Sequence, residues 1–369
     1  MFYYLFDYIN DVFNPPGFDL FRYLTFRSAL AAITALFLAF YVGPKLINYL
    51  HRKQIGETIR VDGPETHKAK AGTPTMGGII IMVSITVPIL LWSDLKSTYI
   101  ILTTLGMLFL SLVGFVDDYL KVVKKYPKGL IAKYKLMGQV FVGLVVGGVI
   151  YFLPEFALYN TQTTLPFFKN LNFDFSYLYI PVVIFIITAI SNGVNLTDGL
   201  DGLAMGTMII VMLTLAIIAY MSGNVIYSDY LNIMYLPGAG ELTVFIAAFI
   251  GAGLGFLWFN FYPAQVFMGD TGSLALGGAF GIIAILIKKE LLIPILGGIF
   301  FLETVSVIIQ RLYFKYTKKK YGEGRRVFLM APIHHHFEMK GWSEPKIVIR
   351  FYIITIILAI VSLASFKIR

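Results

Sequence analysis

Long stretches without a charged side chain constrain this sequence more than any other feature. An α-helix rises about 1.5 Å per residue, so about 20 apolar residues cross the roughly 30 Å hydrocarbon core of a bilayer. Nine stretches contain no Asp, Glu, Lys or Arg: 28–44, 71–93, 97–116, 136–154, 175–197, 202–228, 242–269, 271–287 and 351–366. A tenth, 291–310, is interrupted only by Glu303. The pattern predicts an all-α polytopic integral membrane protein with about ten transmembrane helices in a single domain over 1–369. A count of nine or eleven helices is the alternative, because the stretch 271–287 is short.

The composition excludes several other classes of protein. Of the 369 residues, 57% are apolar and 14% are charged, whereas about 25% of a typical soluble domain is charged. A soluble globular protein, a disordered chain and a nucleic-acid-binding domain are therefore poor fits. The sequence has no cysteine, which excludes disulfides, thiolate nucleophiles and cysteine-ligated metal centres.

The basic residues predict an orientation in the membrane. If the N-terminus faces outward and the spans alternate, 22 of the 30 Lys and Arg residues lie on the inner side, as the positive-inside rule requires. Both termini are then periplasmic, 155–174 is a small periplasmic elaboration, and 311–350 is a long basic cytoplasmic loop with a histidine cluster. Lys288 and Lys289 would lie outside and are the weakest point of this scheme. Because the first residues carry acids rather than a basic region, we expect no cleaved signal peptide.

Three carboxylates from distant parts of the sequence are expected at the inner membrane surface. Asp117 and Asp118 end the third span, and Asp270 directly precedes the span 271–287. A pair of partly desolvated carboxylates raises one pKa or recruits a cation. The alternatives are a solvated helix end that pairs with Lys121, and a helix cap at Asp270. Magnesium fits a three-carboxylate pocket, because it is a hard ion that takes oxygen ligands and retains waters.

Two further polar segments lie on the same predicted face. The glycine-rich turn 192–202 carries two amides and two carboxylates, at Asn192, Asn195, Asp198 and Asp201. It lacks EF-hand spacing, and its acids could accept from a ribose, an amide or a metal-bound water; the alternative is an ordinary tight turn. The segment 260–273 includes Phe267, whose ring could offer a flat face to a base, although aromatic residues are too abundant for composition to support this.

Basic segments supply candidate anion contacts. The loop around Lys70 and Thr75 meets the start of the second span, where free helix N–H groups favour anions; the alternative is a positive-inside anchor. His334, His335 and His336 lie in the long basic loop, where adjacent side chains diverge without zinc spacing. We expect them to contact a polyanion as donors, with zinc binding or a structural role as alternatives.

Together these segments describe a cytoplasm-facing pocket with carboxylates for magnesium and basic groups for phosphate. Such a pocket suits phosphoryl transfer from a soluble nucleotide-linked donor to a lipid acceptor, in which the protein mainly positions groups and neutralises charge. An ion-coupled transporter is the rival from another class, because intramembrane acids also suit transport. Polar chemistry gathered on one face argues against alternating access.

Six motifs carry a resemblance to a known family. They are KAGTPTMGG (70–78), GFVDDYLKV (114–122), KGLIAKYK (128–135), NGVNLTDGLDGLA (192–204), GAGLGFLWFNFYPAQVFMGDTGSLALGG (251–278) and MAPIHHHFEMKGW (330–342). Through them the sequence resembles the polyprenyl-phosphate N-acetylhexosamine-1-phosphate transferases over nearly its whole length. The histidine segment points to the phospho-N-acetylmuramoyl-pentapeptide transferase branch, and the GlcNAc-1-phosphate branch is the nearest rival.

The resemblance implies a reaction and its partners. Phospho-MurNAc-pentapeptide would move from UDP-MurNAc-pentapeptide to undecaprenyl phosphate, giving lipid I and UMP, with Mg²⁺ as cofactor and no nucleic acid as partner. This is the first membrane step of peptidoglycan synthesis, in the bacterial cytoplasmic membrane. The resemblance also implies ten transmembrane helices, periplasmic termini and a homodimer. One-step transfer and a two-step route through an aspartyl-phosphate stay open.

The resemblance also implies roles for individual residues. Asp270 would bind the magnesium, and Asp117 and Asp118 would be catalytic, with Asp117 deprotonating the lipid phosphate. Lys121 and Lys133 would lie near the phosphates. The positions that would line the nucleoside site, with Phe267 stacking on uracil, are Lys70, Thr75, Asn195, Asp198, Asp201, Asn260, Phe267 and Gly269. Further implied substrate contacts are Asn192, Gln310, His334, His335 and His336.

Overall fold

The structure, a computed structural model, describes residues 1–53, 70, 72–126, 128–168 and 171–367. Its helices are α1 (Phe2–Phe13), α2 (Leu24–Arg52), α3 (Gly78–Trp92), α4 (Thr98–Asp118), α5 (Ala132–Phe152), α6 (Tyr179–Thr197), α7 (Leu203–Ser222), α8 (Val225–Leu231), α9 (Leu242–Asn260), α10 (Gly269–Leu286), α11 (Ile293–Leu296), α12 (Gly298–Tyr321), α13 (Ile333–Met339) and α14 (Glu344–Lys367). A hairpin pairs β1 (Gln162–Thr164) with β2 (Asn172–Asp174) antiparallel, with Thr163 opposite Phe173. Among the basic positions predicted to face inward, Arg60 and Lys68 lie outside the described residues, as does Ala71 of the first motif.

Each of the ten apolar stretches contains helix in the part of it that the structure describes. Among the described residues, eight helices are long and apolar enough to cross a bilayer. The stretch 291–310 becomes a further candidate, broken at Gly297 and bent by 80° between α11 and α12. The stretch 71–93 contains α3, a shorter apolar helix of 15 residues. The prediction of an all-α multi-pass membrane protein is therefore confirmed.

Helix α10 lies inside the bundle, where it packs against α4, α6 and α3. Its residues from Thr271 to Leu286 are all buried. The approach of α4 to the start of α10 depends on Gly114, because a Cβ there would lie 2.1 Å from the carbonyl oxygen of Asp270. Such a separation is far below van der Waals contact, so only a glycine permits it. This close approach sets the distance between the inner end of α4 and the first turn of α10.

Lys288 and Lys289, the weakest point of the predicted orientation, are buried beside the hairpin. Nζ of Lys288 donates to the hydroxyl of Tyr179 at 2.8 Å, and Nζ of Lys289 donates to Oγ1 of Thr164 at 2.9 Å. Both lysines therefore tie the turn after α10 to neighbouring elements. Since the positive-inside rule concerns charges in loops that must stay on one side, these internal, bonded lysines do not weigh against it.

The segment 311–350, predicted as a loop, is mostly helical. α12 and α14 both extend into it, and α13 lies inside it. Lysine is a good helix former, and α12 ends only before Gly322, which adopts a φ of +79°. α14 tolerates Pro345 because proline fits the first turn of a helix, where its missing N–H would have no intrahelical partner. The apolar pattern could not show these ends, because they continue beyond the uncharged residues.

A buried ion pair ties the start of α2 to the end of α3 and the start of α9. The guanidinium of Arg27 donates to the two carboxylate oxygens of Glu241, at 2.5 and 2.9 Å, and to the carbonyl oxygen of Trp92 at 3.2 Å. Only 3% of the Arg27 side chain is exposed. Removing the partner of a buried charge is far more costly than removing both members of the pair.

Glu241→Ala should lower the free energy of unfolding by about 3–5 kcal/mol, because Arg27 keeps its buried charge and loses its partner. Thermal unfolding of the detergent-solubilised protein would record this as a lower Tm. The double substitution Arg27→Met with Glu241→Leu should recover most of the loss. Asp229→Asn, at an exposed acid, should leave Tm unchanged. A wild-type Tm for Glu241→Ala would contradict this account of the pair.

Candidate active site

The three predicted carboxylates converge at one end of the bundle. Oxygen atoms of Asp117, Asp118 and Asp270 all lie within 4.8 Å of one another. Asp117 and Asp118 end α4 and are buried, while Asp270 lies in the first turn of α10. The close approach of α4 at Gly114 holds these two helix ends together. The spatial convergence that the sequence required is therefore present.

Asp118 is occupied by the start of α10. Its Oδ1 accepts from the backbone nitrogen of Asp270 at 3.1 Å, and its Oδ2 accepts from the backbone nitrogen and Oγ1 of Thr271, at 2.9 and 2.6 Å. Gly269 allows this contact, since it adopts a φ of +75° and a Cβ there would lie 2.6 Å from Oδ2 of Asp118. These N–H groups have no partner inside their own helix. Asp118 therefore orients Asp270 by holding the helix that carries it.

Asp117 and Asp270 share two lysines. Oδ1 of Asp117 accepts from the backbone nitrogen of Leu130 at 2.6 Å, and its Oδ2 lies 2.8 Å from Nζ of Lys135 and also contacts Nζ of Lys121. Oδ2 of Asp270 pairs with Lys135 and lies 3.4 Å from Nζ of Lys121. The two ammonium groups therefore bridge the two carboxylates.

The charges of this group fit a divalent cation. Within the described residues, the three carboxylates meet the two ammonium groups of Lys121 and Lys135, which leaves one negative charge. Carboxylate oxygens are the ligands that Mg²⁺ prefers in proteins. Oδ2 of Asp117 and Oδ2 of Asp270 already share a cation, the ammonium group of Lys135. These two oxygens are thus the candidate metal ligands, because Asp118 is engaged by α10.

The family resemblance implies a role for Lys133, whereas the structure places Lys135 on the carboxylates. Lys133 is exposed on the first turn of α5 and does not contact them. Lys135 lies on the same helix face as Gln139 and Val142, which are buried. Residues spaced by four and seven positions share one face of an α-helix. That period in the sequence is the signal that could have identified Lys135.

Asn192 and Asn195 lie three residues apart on one face of α6 and bind different partners. Nδ2 of Asn195 donates to Oδ1 of Asp270 at 2.9 Å, whereas Nδ2 of Asn192 donates to Oε1 of Gln139 at 2.9 Å. Asn195 is therefore part of the carboxylate group, and Asn192 holds α6 against α5. Asp198 follows in the turn after α6, where it is half-buried.

A second charged group forms around Lys70 from three separate segments. Nζ of Lys70 lies 2.6 Å from Oδ1 of Asp201 and 2.6 Å from Oε1 of Glu344. Oδ2 of Asp201 accepts from the backbone nitrogen of Ala264 at 3.0 Å. Burial lowers the pKa of Lys70, but Glu344 and Asp201 outweigh it, so the pKa is raised above its ordinary value. Lys70 therefore stays charged at neutral pH. Glu344 lies outside the motifs that carry the resemblance.

Thr75 and Phe267 lie on two loops that run side by side. The backbone nitrogen of Phe267 donates to the carbonyl of Pro74, and its carbonyl accepts from the backbone nitrogen of Gly77, both at 2.8 Å. Thr75 is buried, whereas Phe267 is half-buried. The pairing holds the Phe267 ring near Lys70, whose Nζ lies 5.9 Å from the ring centre.

Asn260 and Gln310 hold backbone segments. Oδ1 of Asn260 accepts from the backbone nitrogen of Gly202 at 3.1 Å, and its Nδ2 donates to the carbonyl of Val266 at 2.9 Å. Oε1 of Gln310 accepts from two successive backbone nitrogens in the loop before α13, both at 3.0 Å. Both residues therefore shape the segments that carry other candidate site residues.

The three histidines take separate partners, as the divergence of adjacent side chains predicts. His334 is fully buried, with Nδ1 3.1 Å from Oε2 of Glu303. His335 shares a 2.6 Å hydrogen bond between its Nδ1 and Oε2 of Glu338. Nδ1 of His336 accepts at 3.1 Å from a backbone nitrogen in the loop before α13. His335 and His336 are half-buried and therefore more accessible than His334.

Comparison with known proteins agrees with the motifs. Residues 98–288 match the family model described as glycosyl transferase family 4, and residues 70–82 match phospho-N-acetylmuramoyl-pentapeptide-transferase signature 1. Relatives named phospho-N-acetylmuramoyl-pentapeptide-transferase are 54% identical in Pelodictyon phaeoclathratiforme, 55% in Chlorobium phaeobacteroides strain BS1 and 49% in Flavobacterium psychrophilum. Each comparison covers the full length of both chains.

The structure is a bundle of membrane-spanning helices with acids and lysines gathered at one end. Together with these matches, it defines a membrane-embedded transferase of glycosyl transferase family 4. Within that class, the chain belongs to the phospho-N-acetylmuramoyl-pentapeptide-transferase family and is a phosphotransferase. The predicted family and enzyme class are thereby confirmed.

Lys135→Met should lower phosphotransferase activity by about 10- to 100-fold, because it removes a charge-assisted contact worth about 1.5–3 kcal/mol from the carboxylates. Lys133→Met is the matched control two residues away, and an exposed substitution of this kind should change activity by about twofold or less. Initial rates of both purified variants would measure the difference. Equal losses in the two variants would contradict the assignment of Lys135.

Proposed function

We propose that this protein transfers phospho-MurNAc-pentapeptide from UDP-MurNAc-pentapeptide to undecaprenyl phosphate, producing lipid I and UMP. The observation that carries the proposal is the meeting of Asp117 and Asp270 with two lysines at the ends of α4, α5 and α10. Both substrates are anionic at the reacting phosphates, so a site for them needs fixed cations and a metal-binding carboxylate pair. The names of the full-length relatives support the muramoyl-peptide donor.

Mg²⁺ is the proposed cofactor, with Asp270 as its main ligand and Asp117 beside it. The carboxylate donor set and the one excess negative charge of the group support this choice. When bound, the ion would neutralise charge on the phosphates. Lys121 and Lys135 would supply further positive charge on the same side, and Asn195 would hold the Asp270 carboxylate through its other oxygen.

In the proposed reaction, Asp117 accepts the proton of the lipid phosphate. An oxygen of that phosphate forms a bond to the phosphorus that carries the sugar. The bond from this phosphorus to the bridging oxygen breaks, and UMP leaves with that oxygen. The proposed role of Asp118 is to hold the start of α10, whose backbone nitrogens and Thr271 hydroxyl donate to both of its oxygens. It keeps Asp270 in place.

Single-step transfer predicts inversion of configuration at the transferred phosphorus. A donor made chiral at that phosphorus with oxygen isotopes and sulfur would report the outcome after one turnover. Inversion is the expected result, because one displacement exchanges one bond on the opposite face. Overall retention would contradict the single step and favour two displacements through an aspartyl-phosphate.

The nucleoside end of the donor is proposed to bind around Phe267, with uracil stacked on the half-exposed ring. Lys70 lies near this ring, and Asp201 pairs with Lys70. Thr75 lies on the loop that is hydrogen-bonded to the backbone of Phe267. The remaining implied contacts of the donor are Asn195, Asp198, Gly269, His335 and His336. Asn192, Asn260, Gln310 and His334 would act by holding these segments, since each is bonded or buried internally.

The proposed setting is the bacterial cytoplasmic membrane, with this site on the cytoplasmic face and both termini in the periplasm. The donor is water-soluble and the acceptor is a membrane lipid, so the reaction requires a site at the membrane surface. The excess of basic residues in the segments that carry the site supports this orientation. The reaction would be the first membrane step of peptidoglycan synthesis, and a homodimer stays a prediction.

Purified protein should release UMP from UDP-MurNAc-pentapeptide only when undecaprenyl phosphate and Mg²⁺ are both present. Asp270→Asn should lose most of this activity, at least about 100-fold, because a neutral amide is a poor magnesium ligand and a poor partner for two lysines. The variant should keep a near wild-type Tm, since the hydrogen bonds to Asp118 come from the backbone nitrogen of Asp270 and from Thr271, and none comes from the Asp270 side chain.

A panel of donors separates the proposal from its nearest rival. Turnover with UDP-GlcNAc and none with UDP-MurNAc-pentapeptide would reject the muramoyl-peptide assignment. Full activity of Asp270→Asn would remove the metal assignment and leave the substrate assignment intact.

A further inference from the structure

Glu344 is part of the candidate nucleoside site, although it lies outside the motifs that carry the family resemblance. Its Oε1 atom accepts from Nζ of Lys70 at 2.6 Å and from the backbone nitrogen of Asp201 at 2.5 Å. Only 6% of the Glu344 side chain is exposed. A buried carboxylate is costly unless it is paired and hydrogen-bonded, and both of its partners here belong to the site.

The contacts of Glu344 place the ammonium group of Lys70 between two carboxylates. Nζ of Lys70 also lies 2.6 Å from Oδ1 of Asp201. A lysine side chain carries about 2 kcal/mol of rotamer entropy, so a single acceptor restrains its ammonium group weakly. Two acceptors from separate chain segments define the position of Nζ, 5.9 Å from the centre of the Phe267 ring.

The helix that begins with Glu344 reaches the same turn by a second contact that does not involve Lys70. The hydroxyl of Tyr352 on α14 donates to the carbonyl of Gly202 at 2.7 Å. Holding α14 against the turn is therefore separable from holding the lysine. Tyr352 offers a natural control for the first task, and Glu344 performs both.

The charge of this group also indicates which part of a donor it suits. One ammonium group between the carboxylates of Asp201 and Glu344 leaves a net negative charge among these three side chains. Complementarity of charge then favours the uncharged hydrogen-bonding groups of a nucleoside over a diphosphate. The diphosphate is left to the other carboxylates, where Lys121 and Lys135 supply two ammonium groups and the proposed Mg²⁺ would offset the remaining negative charge.

We propose that Glu344 is a positioning residue for the UDP-linked donor, which fixes Lys70 and the Asp201 turn beside Phe267 before the nucleoside binds. This inference rests on the proposed function, because it assigns the nucleoside end of that donor to this group. Binding to a group that is already ordered avoids the entropic cost of ordering it. Glu344 acts through Lys70 and Asp201 and does not itself touch the reacting atoms.

Glu344→Gln keeps the shape of the side chain and removes its charge. KM for UDP-MurNAc-pentapeptide should rise about tenfold with kcat near wild type, because a charge-assisted contact that supports donor binding is weakened in the ground and transition states alike. KM for undecaprenyl phosphate should not change. In a Lys70→Met background, the same substitution should add little, since both changes act on one interaction.

Tyr352→Phe is the matched control and should leave KM for the donor unchanged. Glu344→Asp, which keeps the charge on a shorter side chain, should give a smaller rise in KM; it decides the question if Glu344→Gln does not fold. An unchanged donor KM with a lower kcat or Tm would overturn the proposal, as would independent, multiplying effects of the Lys70 and Glu344 substitutions. In those cases the proposed function would still stand if the unsubstituted protein turns over UDP-MurNAc-pentapeptide. If the unsubstituted protein does not turn over this donor, the proposed function itself is contradicted.

Discussion

The site depends on one contact, in which the first N–H groups of α10 donate hydrogen bonds to the Asp118 carboxylate. These N–H groups have no partner in their own helix, and a negative charge there is stabilised by the helix dipole. The contact joins the end of α4 to the start of α10. The contact also fixes the position of Asp270, because that residue lies in the first turn of α10. Packing of two buried helix ends, rather than a loop, therefore sets the position of Asp117 against Asp270.

This arrangement divides the charged residues by task. Asp118 is engaged by the start of α10, so Asp117 and Asp270 remain for Lys121 and Lys135 and for the proposed divalent cation. The group around Lys70 has a single ammonium group between two carboxylates, so it offers fewer fixed cations than the group at Asp117 and Asp270. A substrate with a nucleoside at one end and phosphates at the other can match both groups at once. In the proposed reaction the membrane supplies the second substrate, which requires charged groups at the ends of spanning helices.

Much of the fold could be predicted from the sequence, because insertion in a membrane depends on apolar length within one segment. The carboxylates could be predicted from motif chemistry. Lys135 could not be separated from Lys133 by motif alone, since the choice depends on which face of α5 packs inward. No sequence pattern indicated that Glu344 belongs to the site, because its partners Lys70 and Asp201 are distant in sequence. The buried pairing of Lys288 was hidden for the same reason.

The sequence by itself determined that this chain crosses a membrane several times and which acids, bases and amides are available near one surface. These are local properties of residue type and of uncharged length. Only the tertiary structure decided that Asp118 holds a helix while Asp117 and Asp270 face the lysines, and that Glu344 completes the group at Lys70. The physical reason is that hydrogen bonds and ion pairs depend on distances of about 3 Å. Those distances arise from the packing of helices that lie far apart along the chain.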